Sequence, residues 1–132
     1  MVPGVKGFAD RPGQRVLIVD DSPQVRRELR TLLPLAGDIE IVGEAADGVE
    51  AIRLAEALQP EVVLMDLEMP VMDGYQAARQ IKALCPACRV VALTVYGDPA
   101  SRNQAVRAGV DVFLVKGVSV ETLVQAISGR EE

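Results

Sequence analysis

Polar residues capable of chemistry stand directly behind short apolar runs in this chain. Asp20-Asp21 follows Val16-Leu17-Ile18-Val19, Asp66 follows Val62-Val63-Leu64-Met65, Thr94 follows Val90-Val91-Ala92-Leu93, and Lys116 follows Val112-Phe113-Leu114-Val115. Together they offer three carboxylates, a hydroxyl and an ammonium. Two carboxylates about 4 Å apart repel by roughly 4 kcal/mol at an effective dielectric of about 20, so such a cluster calls for a cation. A hard divalent ion answers best: Mg²⁺ (or Mn²⁺) takes carboxylate oxygens and keeps several waters. A carboxylate can also be a nucleophile that forms an acyl phosphate. Metal and lysine would neutralise charge on phosphoryl oxygens, and the Thr94 hydroxyl could donate to one of them. The set reads as a phosphoryl-transfer site, provided the fold gathers it.

The elements that must do so are legible. The four runs are short, rich in β-branched residues and continuous, as strands buried on both faces should be. A fifth, Ile39-Glu40-Ile41-Val42, alternates more and suits an edge strand. Helical segments lie between them. Residues 23–33 follow a Ser22 cap with Pro23 at the first position. Residues 48–58 follow Asp47 and carry a stripe of Val49, Ile52, Ala55 and Leu58. Residues 74–84 follow an Asp73 cap, with Ala77, Ala78, Ile81 and Leu84 aligned. Residues 99–108 follow Asp98 and stop at Gly109. Residues 120–128 follow Ser119, with Leu123, Val124 and Ile127 facing inward.

Strict alternation of strand and helix predicts an α/β, flavodoxin-like (βα)5 three-layer sandwich around a parallel five-stranded sheet of order 2-1-3-4-5. Ligands in such sheets bind beyond the carboxyl ends of the strands where the order reverses, here between strands 1 and 3. Residues 1–14 mix Pro, Gly and charges without periodicity and are expected to form a flexible arm. The domain is expected over 15–129, with 130–132 as a tail.

Composition bounds the alternatives. A chain of 132 residues fits one domain with a real core. Aromatics are only 3% against 49% hydrophobic residues, so that core is aliphatic. The net charge of −5 argues against direct nucleic-acid contact. No histidine is present, which removes Ser/His/Asp and Cys/His catalysis and every histidine-based metal site. No apolar run approaches the roughly 18 residues of a membrane span, and no signal peptide is visible; the expected compartment is the cytoplasm. Cys85-Pro86-Ala87-Cys88 has no second cysteine pair to complete a zinc site. It also precedes a strand rather than opening a helix, so it reads as two ordinary thiols in a loop.

Asp20-Asp21, Asp66 followed by Met69-Pro70 and Asp73-Gly74, Thr94 and Lys116 resemble the signature of response regulator receiver domains. The resemblance covers about Arg15 to Ile127. It implies Asp66 as phosphoacceptor, Asp21 and Asp66 as direct metal ligands, Asp20 acting through water, and the backbone carbonyl of Glu68 as a further ligand. It implies Thr94 as the switch hydroxyl, Lys116 as the partner of the phosphoryl group, and Phe113 as the aromatic switch. A sensor histidine kinase or phosphotransfer protein would be the donor. The output would be read from the face formed by the fourth helix, fifth strand and fifth helix, with homodimerisation on phosphorylation as a further expectation. Lys116-Gly117 and the segment Ser119 to Ile127 resemble the NarL/FixJ subfamily, whose members carry a helix-turn-helix domain after the receiver and regulate transcription.

Four positions stand out against the usual pattern. Gly117 stands where the family usually has a proline with a cis bond. A non-proline cis bond costs about 3–4 kcal/mol, so a trans bond is expected. Val95, where many receivers have alanine, and Tyr96 are expected to narrow access to Asp66, and Glu68 to add a charge beside it. Of the rival readings, a haloacid-dehalogenase-type phosphatase needs Asp-x-Asp after its first strand, where this chain has Asp-Asp-Ser. A non-phosphorylated module of the same fold should have a broken acid cluster, and this one is complete.

Overall fold

The computed structural model describes residues 13–129, so the expected arm up to residue 12 and the expected tail lie outside the described residues. Strands and helices alternate throughout. They are β1 (Gln14–Val19), α1 (Pro23–Ala36), β2 (Ile39–Ala45), α2 (Gly48–Leu58) and β3 (Val62–Met65). Then follow α3 (Gly74–Leu84), β4 (Arg89–Thr94), α4 (Pro99–Arg107), β5 (Val112–Val115) and α5 (Val120–Ser128). The strands form one parallel sheet of order β2-β1-β3-β4-β5, as the alternation predicted.

The two-sided burial expected of the apolar runs is met by β1, β3 and β4. Val16, Ile18, Val62, Leu64, Val91 and Leu93 pack on one face with Leu33 of α1 and with Leu123 and Ile127 of α5. Leu17, Val19, Val63, Met65, Val90 and Ala92 pack on the other with alanines of α2, α3 and α4 and with Ile81. Each fully buried aliphatic side chain contributes about 1.5–3 kcal/mol.

Every helix begins at the carboxyl edge of the sheet, and each start is capped by a side chain. Ser22, Asp47, Asp73, Asp98 and Ser119 accept from the backbone N–H three residues on. Each such cap stabilises by about 1 kcal/mol. Together they fix the loops that carry the polar residues.

Several expectations are corrected in detail. β1 starts at Gln14, inside the expected arm, because its N–H bonds the Asp38 carbonyl at 2.8 Å. α1 runs one turn longer than expected, past Pro34. The ring's missing N–H falls in the last turn, which Gly37 N–H closes onto the Leu33 carbonyl at 3.1 Å. Val49 is exposed, since the buried seam of α2 is Gly48, Ala51 and Ala55 with Ile52 at its margin. A β-carbon on Gly48 would sit 2.9 Å from the Met72 carbonyl, so this seam also packs on the β3–α3 loop. Leu84 is exposed at the end of α3, and buried Tyr75 fills the space at its start. Cys85 and Cys88 are free thiols in the loop between α3 and β4, as expected, and both are buried against the core. Burial, reinforced by Cys85, pushes the Cys88 thiol up to about 12. Among the described residues no peptide bond is cis, so the bond to Gly117 is trans as expected.

Candidate functional site

The adjacency of β1 and β3 decides the site. Val19 pairs with Met65, so the chain ends that follow them, Asp20 and Asp66, emerge side by side. The Asp66 N–H bonds the Val19 carbonyl at 2.9 Å and the Asp20 N–H bonds Ala45 at 3.0 Å, which continues the ladder one residue past each strand. Carboxylate oxygens of Asp20, Asp21 and Asp66 lie within 4.8 Å of one another. Asp20 and Asp66 are buried and Asp21 is exposed. An all-oxygen, all-anionic donor set with one member open to water suits a hard divalent cation.

Lys116 reaches this cluster from the end of β5. Its ammonium lies 3.2 Å from Asp20 Oδ2 and 3.2 Å from Asp66 Oδ2. Its own N–H bonds the Thr94 carbonyl at 2.7 Å, which fixes where the side chain starts. The remaining carboxylate oxygens meet backbone donors: Ser22 N–H reaches Asp20 Oδ1 and Glu68 N–H reaches Asp66 Oδ1, each at 2.9 Å. Among the described residues, every buried side-chain polar atom has a partner.

Burial raises the Asp66 carboxyl above its ordinary value, against the pull of the Glu68 N–H and of Lys116. Burial alone would pull the Lys116 ammonium down, but Asp66 and Asp20 together outweigh it and raise it. At neutral pH Lys116 is therefore a fixed positive charge.

Thr94 ends β4 fully buried, and its hydroxyl oxygen accepts from Tyr96 N–H at 3.3 Å. Val95 and Tyr96 beyond it are exposed at the rim. Glu68 projects outward while its backbone stays beside Asp66. Phe113 is half-buried on edge strand β5, packed against the core, with the Arg102 guanidinium 4.7 Å from its ring centre.

The sequence profile of the response regulator receiver domain matches residues 16–128. This chain belongs to that family. The receiver domain is 41% identical over 113 residues to the response regulator protein VraR of Staphylococcus aureus, covering 86% of this chain and 54% of VraR. It spans about half the length of the curated relatives it matches. Among solved structures, the receiver domain of NarL from Mycobacterium tuberculosis superposes with a TM-score of 0.84 at 35% identity, covering 89% of this chain and 94% of that one. A chain of the CheX–CheY–BeF3–Mg²⁺ complex from Borrelia burgdorferi gives 0.83 at 26% identity, covering 92% of each. The NarL-type resemblance read from the sequence is thus met by the relatives, and the receiver fold by the structures.

The structure brings Asp20, Asp21, Asp66 and Lys116 of this receiver into one cluster, and places Thr94 on the neighbouring strand end. Phe113 sits on the next strand, outside the cluster. Two arginines that the sequence reading did not single out also bear on the region. Arg102 covers Phe113. Arg26 donates to the Asp20 carbonyl and to Glu44. The signal for Arg26 is faint: it lies one turn past the Ser22 cap, on the side of α1 that looks back at the end of β1.

Proposed function

We propose that this receiver accepts a phosphoryl group on Asp66 with Mg²⁺ (or Mn²⁺) bound, and controls a transcriptional output by changing conformation. The reading is carried by one observation: the buried Asp66 carboxylate shares an ammonium, Lys116, with Asp20, inside a three-carboxylate cluster. Asp21, Asp66 and the Glu68 backbone carbonyl would hold the metal directly, with Asp20 through water. The metal would neutralise the carboxylates and the incoming phosphoryl oxygens.

The donor is a phosphohistidine on a sensor kinase or phosphotransfer protein, since this chain has no histidine. An Asp66 oxygen forms a bond to phosphorus as the bond from phosphorus to the imidazole nitrogen breaks, and the electron pair stays on the imidazole. The same site carries self-phosphorylation from small phosphodonors and autodephosphorylation. Lys116 meets the charge placed on Asp66, about −1.5 to −2 at neutral pH. Thr94 turns its hydroxyl toward the new oxygens, and Phe113 turns into the space that opens. The α4–β5–α5 face then differs between two populated states. A following DNA-binding domain or a second copy of the receiver reads that difference, in the compartment where the kinase acts, the cytoplasm.

Titration with beryllofluoride and Mg²⁺, followed by calorimetry, tests the assignment. Wild type is expected to bind and Asp66→Asn to lose binding. Equal binding by the two proteins rejects Asp66 as the acceptor.

A further inference from the structure

We infer that Arg26 is a positioning residue for the acidic cluster, holding the peptide between Asp20 and Asp21 so that the Asp21 carboxylate faces the metal; this rests on the reading of Asp20, Asp21 and Asp66 as metal ligands. Asp20 is held on nearly every polar atom. Its N–H bonds the Ala45 carbonyl and its carboxylate meets Ser22 N–H and Lys116. The atom left over is its carbonyl oxygen, and Arg26 Nη1 donates to it. The same guanidinium places Nε 3.2 Å from Glu44 Oε1, and Arg30 pairs with the other oxygen of Glu44.

The side chains of Arg26 and Glu44 are 17% and 25% exposed, so solvent screens this pair less than a surface ion pair. Glu44 stands on β2 opposite Ile18 of β1. The fork therefore ties the Asp20–Asp21 peptide to the rigid sheet edge. Asp21 needs that tie most: it is exposed, and its direction follows the backbone it stands on. A planar guanidinium with a fixed fork can bridge a carbonyl and a carboxylate at once, and an ammonium cannot reproduce that.

The sign of the effect separates positioning from bare charge. A cation this near a metal site repels the metal, so deleting it on electrostatic grounds alone would tighten binding. Positioning predicts the reverse. Outer partners that orient metal ligands cost about 10–100-fold in affinity when lost.

The test is Mn²⁺ affinity by electron paramagnetic resonance, on the 132-residue chain shown to be folded by circular dichroism. Arg26→Met is expected to weaken Mn²⁺ binding about tenfold. Arg26→Lys, which keeps the charge, is expected to weaken it less, by about threefold. A folded Arg26→Met protein that binds Mn²⁺ as tightly as wild type, or more tightly, overturns the inference. Should Arg26→Met fail to fold, Arg26→Lys decides, and an unchanged affinity overturns it. A purely structural arginine would lower the melting temperature and leave the affinity alone. Asp21→Asn serves as the control. If wild type does not bind Mn²⁺, the underlying site reading falls. If Asp21→Asn loses the ion while Arg26→Met keeps it, only the role of Arg26 falls.

Discussion

The Lys116 ammonium lies 3.2 Å from the Asp66 carboxylate although the two residues are 50 apart in the chain. It divides itself between Asp66 and Asp20, so it competes with any cation for the same oxygens. Lys116→Met is expected to bind Mn²⁺ more tightly than wild type and beryllofluoride about 10–100-fold more weakly, since a hydrogen bond to a charged group contributes about 1.5–3 kcal/mol. Paired titrations of the two ligands check this. An unchanged beryllofluoride affinity removes Lys116 from the phosphoryl site.

Asp66→Asn should make the metal-free domain more stable at neutral pH. The folded-state carboxyl is raised by burial, so the folded protein keeps a proton that the unfolded chain has already released. Stability therefore falls as pH rises from the ordinary carboxylate value through the raised one, and stays lower above it. The asparagine variant lacks that loss. Melting temperatures in chelator should show the variant ahead at pH 7, with its lead shrinking on acidification below the ordinary carboxylate range. A wild type as stable as the variant at pH 7 contradicts the described environment.

Gly74→Ala is expected to destabilise the fold by about 1–3 kcal/mol, the usual cost of overpacking. A β-carbon there would lie 2.5 Å from Leu67 Cα and 2.7 Å from the Asp66 carbonyl. Both contacts are backbone and cannot swing aside. Urea denaturation measures the loss, and a cost under about 0.5 kcal/mol, the range of ordinary surface changes, contradicts the close packing.

Val71→Asn is expected to stabilise by about 1 kcal/mol. Val71 has φ of 71° and is 82% exposed, and Met72 N–H bonds the Pro70 carbonyl at 2.7 Å around it. That is a γ-turn of the strained hand, built on a β-branched residue. Asparagine tolerates this conformation, and little burial is lost. In a domain of this size the gain raises the melting temperature by roughly 4 °C. A lower melting temperature would show that the strain is not there to relieve.

Much of this was legible because two-sided burial leaves a plain trace. Runs such as Val62 to Met65, alternating with helical segments, read as parallel strands, and the polar residue after each then falls on one rim, even for β5, which proves to be a half-buried edge strand. Asp20, Asp66 and Lys116 could be placed together on that ground alone. The missed details depend on rotation about an axis. Val49 and Ala51 differ by 200° around α2, and composition favoured the wrong one for the seam. Arg26 acts on a backbone carbonyl, which has no letter in the sequence. The bulge between Val16 and Leu17, which skips Val42 in the pairing with β2, is likewise set by the match of two strands rather than by either. The cysteine pair lies in the loop that the sequence indicates, and the turn it forms folds both thiols inward, a burial that the motif itself does not show.

The crowding around Gly74 has a counterpart across the rim. On the flank toward α3, backbone touches backbone at Gly74, and Gly48 is pressed against Met72 in the same way. On the flank toward β4 and β5, Val95 and Tyr96 stand free in solvent, and all four residues of β5 are only half-buried. The rim beside Asp66 is thus unevenly built: toward α3 two absent β-carbons let backbone close on backbone with no room to spare, and toward β4 and β5 the side chains are left room to move.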